Sequence, residues 1–219
     1  MFVAKNLLFT PPIVAAPTNV TVKGTPTTAA AATTVTLPTH AVGDLIIVYA
    51  YNASNTTVPT IPTAGGTVPT WTSFGVGGGT LEAAVCGWAV ATATNHTSGT
   101  WTNATNGLAA IVLTGNKSSS PIGAGAAHTE GLSTTGLPYP ALASQTNTDG
   151  TSLILHIGGH RTLSAIGTVP TGYTSQIASL NPFIMALSKN SSTSDGAVTW
   201  PCTSTNGRCL PLSIEVLAH

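Results

Sequence analysis

The run Leu45-Ile46-Ile47-Val48-Tyr49-Ala50-Tyr51 comes after the turn signal Gly43-Asp44 and ends in the polar string Asn52-Ala53-Ser54-Asn55. An apolar run of this length, rich in β-branched and aromatic residues and bounded by turn residues, predicts a strand buried on both faces inside a sandwich or barrel. The build returns about 100 residues on, where Asp149-Gly150-Thr151-Ser152 leads into Leu153-Ile154-Leu155-His156-Ile157. The segments downstream of the two runs also match. Thr67-Val68-Pro69-Thr70-Trp71-Thr72 returns as Thr168-Val169-Pro170-Thr171-Gly172-Tyr173-Thr174. Trp101 returns as Trp200, and Asn106-Gly107 returns as Asn206-Gly207, each Asn-Gly preceding an apolar strand at 108–113 and 210–217. Each half therefore reads as strand, Pro-aromatic turn, strand, Trp strand, Asn-Gly turn, strand. The pseudo-repeats span about 40–114 and 148–217 of one fold.

Other segments fill in around these. Residues 19–23 and 33–37 alternate apolar and polar positions, the pattern of half-buried strands. Residues 58–71 read as a loop punctuated by Pro59, Pro62, Gly65-Gly66 and Pro69. Residues 81–91 form a strand carrying Cys86 and Trp88, with residues 182–188 as its counterpart. Residues 114–142 are rich in Ser, Gly and Pro and are expected to cross the surface between the halves. The first 17 residues could be mistaken for a signal peptide, but Pro11-Pro12 interrupts the apolar patch and no clean cleavage region comes after it. They read as an extended arm or edge strand whose Leu7, Leu8 and Phe9 must bury against the body or a neighbouring chain; a processed leader is the alternative. The expected organisation is this arm, residues 1–17, and one all-β antiparallel sandwich, residues 18–219.

Composition narrows the function. Charged residues are only 5% of the chain, and six Lys+Arg stand against six Asp+Glu. Nucleic-acid binding needs clustered cations that displace counterions, so it is not expected. Nor is a polybasic membrane contact, and no stretch has the apolar length of a transmembrane helix. A free monomer with so little charge is weakly protected against self-association, whereas a subunit of an assembly needs less protection.

With these residues in view, the chain resembles a group of jelly-roll β-sandwich proteins of tailed bacteriophages, of the tail, tail-tip or capsid-decoration type, related to bacterial surface modules. The resemblance rests on "GDLIIVYAY", "VPTWTSF", "CGWAVATA" and "GTWTNATNGLAAIVLTG" in the first half. In the second it rests on "DGTSLILHI", "VPTGYTSQI", "FIMALSKN", "VTWP" and "LSIEVL". It departs from the group's pattern at Thr70, at Tyr173, which stands where Trp is usual, and at Trp88-Ala89. The resemblance implies a jelly-roll-like fold and a particle setting: a non-enzymatic virion protein, homo-oligomeric and bound to other virion proteins. It implies no active site and no cofactor. The alternative is a carbohydrate-binding adhesin, either a receptor-binding tail protein or a lectin of the bacterial cell surface, with a host glycan as partner.

Candidate chemistry is sparse. No nucleophile elbow, phosphate loop, His-Glu-x-x-His or Cys-x-x-Cys is present. The six acids are scattered, whereas a glycosidase needs two facing across a cleft. Asp44 and Asp149 precede matched strands, as turn-forming Asp does. His156 and His160 share a strand face at even spacing, where two imidazoles could hold a metal, but no third ligand is marked. Trp101 and Trp200 read as core anchors; Trp71 and Tyr173, on equivalent turns, are the sugar-stacking candidates. Cys202 and Cys209 flank Asn206-Gly207 and bracket a hairpin-like turn able to bring two Cβ atoms within disulfide reach, the alternative being two unpaired thiols. Cys86, mid-strand among Ala and Val, reads as a buried free thiol.

Overall fold

A computed structural model describes residues 18–219 except 55, 76, 128–129 and 191–193. The arm with Leu7, Leu8 and Phe9 therefore lies outside the described residues. Among those described there is no helix. The strands are β1 (Thr21–Val22), β2 (Thr27–Ala30), β3 (Leu45–Asn52), β4 (Thr72–Phe74), β5 (Ala83–Val90) and β6 (Gly107–Thr114) in the first half. The connection carries β7 (Ile122–Ala127), β8 (Gly131–Leu132) and β9 (Gly136–Tyr139). The second half adds β10 (Leu153–His160), β11 (Ala165–Ile166), β12 (Thr174–Ala178), β13 (Ile184–Asn190), β14 (Val198–Thr203) and β15 (Arg208–Val216).

The fold is an all-β sandwich of antiparallel sheets. One sheet runs β1-β6-β3-β5-β4, with β2 also on β6; the other runs β12-β13-β10-β15-β7, with β8 also on β15. The order β4-β5-β3-β6 thus faces an order β12-β13-β10-β15, and the two opening runs of the sequence, β3 and β10, hold the same central slot. Of these eight strands, the four from the first half lie in one sheet and the four from the second half in the other.

All eight residues of β3 and all eight of β10 are buried. This is why neither run alternates: each strand has one face inside the sandwich and the other under an outer layer. Leu45, Ile47, Tyr49 and Tyr51 point inward against Leu153, Leu155 and Ile157. The Tyr49 hydroxyl crosses between sheets, donating to Leu210 O and accepting from Gly159 N at 3.0 Å. Gly159 is required there, because a Cβ would lie 2.5 Å from the Tyr51 ring.

The outer faces are closed differently. Over the first sheet, Ile46, Val48 and Ala50 pack with Val35, Trp71 and Trp101, all borne on loops. Residues 33–37, expected as a strand, belong to this cover. Their backbone bonds go to the 98–101 loop, with Val35 N donating to Ser98 Oγ (3.0 Å) and Thr33 O accepting from Trp101 N (2.7 Å). Over the second sheet lies a third, three-stranded sheet, β11-β14-β9, which packs Leu137, Tyr139 and Trp200 against Met185 and Leu187. The 114–142 connection is accordingly more than a surface crossing: β7 extends the second sheet and β9 builds its cover.

Candidate functional site

The polar groups best placed for chemistry gather on the outer face of the second sheet. In the even, outward positions of β10 the sequence has Ile154, His156, Gly158 and His160. Antiparallel register sets His156 directly across from Ser213 of β15. Its Nδ1 lies 2.7 Å from Ser213 Oγ and its Nε2 2.9 Å from Asp195 Oδ2. Asp195 comes from the segment between β13 and β14 and is held there by its backbone, which exchanges two hydrogen bonds with Leu142 (2.8 and 2.9 Å). Its other oxygen accepts from the Tyr173 hydroxyl at 2.8 Å and pairs with Lys189 Nζ at 2.6 Å. Lys189 also stands 4.6 Å over the Tyr173 ring, and the His156 ring packs against Tyr139 and Tyr173 at centroid distances of 5.2 and 5.4 Å.

Burial opposes the charge on Asp195, but hydrogen bonds from His156, Lys189 and Tyr173 outweigh it and hold the carboxyl down at about 2. For Lys189 burial again acts against charge, and Asp195 and Tyr173 again prevail, raising its pKa. Burial, reinforced by Asp195, raises Tyr173.

Ser213, His156 and Asp195 are the residue types of a nucleophilic triad. Their surroundings enclose them. Ser213 and His156 are fully buried, and Ser213 donates its proton to Pro140 O at 2.7 Å rather than presenting a free hydroxyl. The cluster ties β10, β15, Pro140, the Asp195 segment and the Tyr173 turn into one block. A satisfied buried network of this kind rigidifies the layer it spans.

The other sequence candidates fall in different places. His160 shares the outward face with His156, but four residues of strand separate them by roughly 13 Å, too far for one metal ion. Both nitrogens of His156 are engaged, and among the described residues no group of three or more His, Cys, Asp or Glu is placed to hold a metal. Trp71 is buried and packs edge-on against Trp101 (5.4 Å), so its face is not a sugar platform. Tyr173 has Lys189 over its ring and its hydroxyl on Asp195. Trp101 and Trp200 are core anchors with ring N–H groups bonded to Ser98 O and Gly167 O, although Trp101 sits in a loop rather than a strand.

Cys202 and Cys209 are free thiols buried in one cluster, and the disulfide expected between them is not formed. The Asn206-Gly207 turn does not close a hairpin. It carries the chain from the outer sheet to the main one, and its bonds go to that outer layer: Ser204 N to Thr134 O, and Asn206 N to Thr162 Oγ1. Burial pushes Cys202 up to about 11 and Cys209 to about 12, which disfavours the thiolate that exchange requires. Cys86 is a buried free thiol, raised to about 12 by burial alone. Asp44 and Asp149 are turn formers, accepting from Ala41 N (2.7 Å) and Thr151 N (2.9 Å).

Two buried acids escaped sequence reasoning. Glu215 accepts from the N–H groups of Ala124, Thr146 and Asn147. Glu82 is fully buried with neither carboxyl oxygen in a well-formed hydrogen bond, and burial raises it to about 7 against the partial help of nearby Tyr51, Arg161 and Arg208. The cluster itself had left a signal. His156 interrupts one apolar run, and Ser213, with Glu215, interrupts another, and such interruptions tend to face each other. Comparison of the chain with protein-family models, curated proteins and solved structures found no match.

Proposed function

We propose that this chain is a non-enzymatic structural subunit of a tailed-bacteriophage particle, a β-sandwich of the tail, tail tip or capsid decoration that works by assembly. The observation that carries the reading is where the polar chemistry lies. Ser213, His156 and Asp195 are enclosed, and the group ties segments together. The very low charge and the strand-and-turn resemblance to virion proteins add support. Its partners are other virion proteins and copies of itself, and the arm with Leu7, Leu8 and Phe9 supplies contacts to them. Burying three such side chains contributes roughly 1.5–3 kcal/mol each before ordering costs.

Particle purification tests this. The chain should co-purify with particles, and deletion of residues 1–17 should leave a folded domain that no longer assembles. A soluble monomer absent from particles overturns the reading. The adhesin reading loses its stacking residues, since Trp71 is covered and Tyr173 engaged. A glycan array with a Trp71→Ala control should accordingly stay flat; a specific sugar signal would favour the adhesin instead.

A further inference from the structure

We propose that His40 and His96 form an acid-sensitive latch that holds the outer layer of the first half closed. The two rings stack at a centroid distance of 5.8 Å and 11° from parallel. They join three loop segments that are distant in sequence: 38–40, Thr67 and 92–97.

The partners of the rings dictate their proton positions. Nε2 of His96 receives the backbone N–H groups of Thr92 and Ala93, each at 3.1 Å. An amide N–H can only donate, so this nitrogen carries a lone pair. Nδ1 of His96 faces Thr67 O at 2.9 Å, and a carbonyl can only accept, so Nδ1 carries the proton. His40 repeats the arrangement: Nε2 receives His96 N at 3.2 Å, and Nδ1 faces Pro38 O at 2.9 Å. All four ring nitrogens are therefore committed in the neutral, Nδ1–H form. A second proton on either ring would set N–H against N–H, cancel those acceptor bonds and bring positive charge onto a stacked neighbour.

Little else nearby could compensate an imidazolium. Among the described residues, the hydrogen-bond and ring partners of the two imidazoles are backbone groups, the Thr92 hydroxyl and each other. Thr67 and Thr97, whose hydroxyls meet at 2.9 Å, are neutral. The charged pair nearest in the chain, Lys23 and Asp44, is closed on itself at 2.6 Å, and Asp44 is further bound to Ala41 N.

The consequence lies in what these segments cover. Thr67 leads into Trp71. Residues 92–97 lead into Ser98, whose carbonyl receives the Trp101 ring N–H at 3.0 Å and whose hydroxyl receives Val35 N. On acidification, a second proton on either ring removes an acceptor, and the segments that lead into Trp71 and Trp101 open. The second half, closed by a hydrogen-bonded sheet, keeps its cover.

Hydrogen–deuterium exchange on the full chain, corrected for intrinsic rates, tests this at about pH 7.5 and about pH 5. Peptides covering 67–71 and 92–101 should exchange about tenfold faster at the lower pH, while those from β10 and β15 should not change. The double variant His40→Gln, His96→Gln puts a non-titrating amide oxygen where each Nε2 accepts, and its loops should exchange alike at both pH values. No acid response in the wild type, or an equal response in the double variant, overturns the latch. Should the variant not fold, ring nitrogen NMR of the wild type decides. Both rings should carry the proton on Nδ1 at neutral pH, and their titration should coincide with lost protection at 92–97. Protons on Nε2, or protonated rings beneath protected loops, overturn it equally.

Discussion

Val48 is the fourth residue of β3 and His156 the fourth of β10, and both point outward from the centre of their sheets. Around Val48 the cover is apolar and loop-borne, closed by Trp71 and Trp101. Around His156 it is a sheet, and a charged tie of Asp195, Lys189, Tyr173 and Ser213 runs beneath it. One strand plan thus supports two ways of enclosing its second face. The apolar cover depends on ring packing and leaves the buried Trp71 ring N–H without a partner, whereas the polar one is stable only while every member is bonded.

Removing an anchor should have the largest effect. Trp101→Ala and Trp200→Ala should each cost about 3–5 kcal/mol in urea unfolding, since both rings are enclosed. A cost for Trp101 below about 1 kcal/mol would mean that the loop-borne cover is not part of the cooperative core. Next come exchanges between the matched slots. Val48→His buries an imidazole with no partner and should cost about 2–3 kcal/mol. His156→Val removes hydrogen bonds but leaves Asp195 with Lys189 and Tyr173, so about 1–3 kcal/mol is expected. Equal tolerance of both exchanges would erase the distinction between the two covers.

Acid–base behaviour sharpens it further. The folded-state pKa of Asp195 is depressed from 3.8 to about 2, so its contribution is complete above the unfolded value and disappears as pH falls through about 2. About 2 kcal/mol should be lost on that descent, and Asp195→Asn should flatten it. Glu82 acts in the opposite sense. Its pKa is raised from 4.5 to about 7, so its stability is complete below 4.5 and declines as pH rises through about 7. Glu82→Gln should remove that slope, and urea midpoints between these limits measure it; a slope unchanged in the variant would assign it elsewhere. The smallest effect concerns the thiols. Without reductant, Cys86, Cys202 and Cys209 should resist alkylation in the native state and all three should react after unfolding. Two unreactive thiols after unfolding would restore the disulfide.

The strands were legible wherever burial left a linear trace. The runs that became β3 and β10 have both faces enclosed, and enclosure on both faces removes alternation from the sequence itself. Turns were legible as well, because a turn depends on a few adjacent residues. Residues 33–37 show where that reasoning ends. Their alternation is genuine, with Val35 buried, but backbone partners in the 98–101 loop made them a cover instead of a strand. Partner choice at that separation is invisible to a local pattern.

The candidate chemistry divides along the same line. Sequence alone determined an all-β chain, poor in charge, with Trp101 and Trp200 as anchors and Cys86 as a buried thiol, because residue type and immediate neighbours decide these. Only the tertiary structure decided that His156 would meet Ser213 and Asp195 rather than His160, and that Cys202 and Cys209 would face one layer without bonding. It also decided that Trp71 would be covered and that His40 would stack on His96. Each of these depends on register or on the layer a loop returns to, and both are set by packing across separations at which the chain carries no mark of its partner.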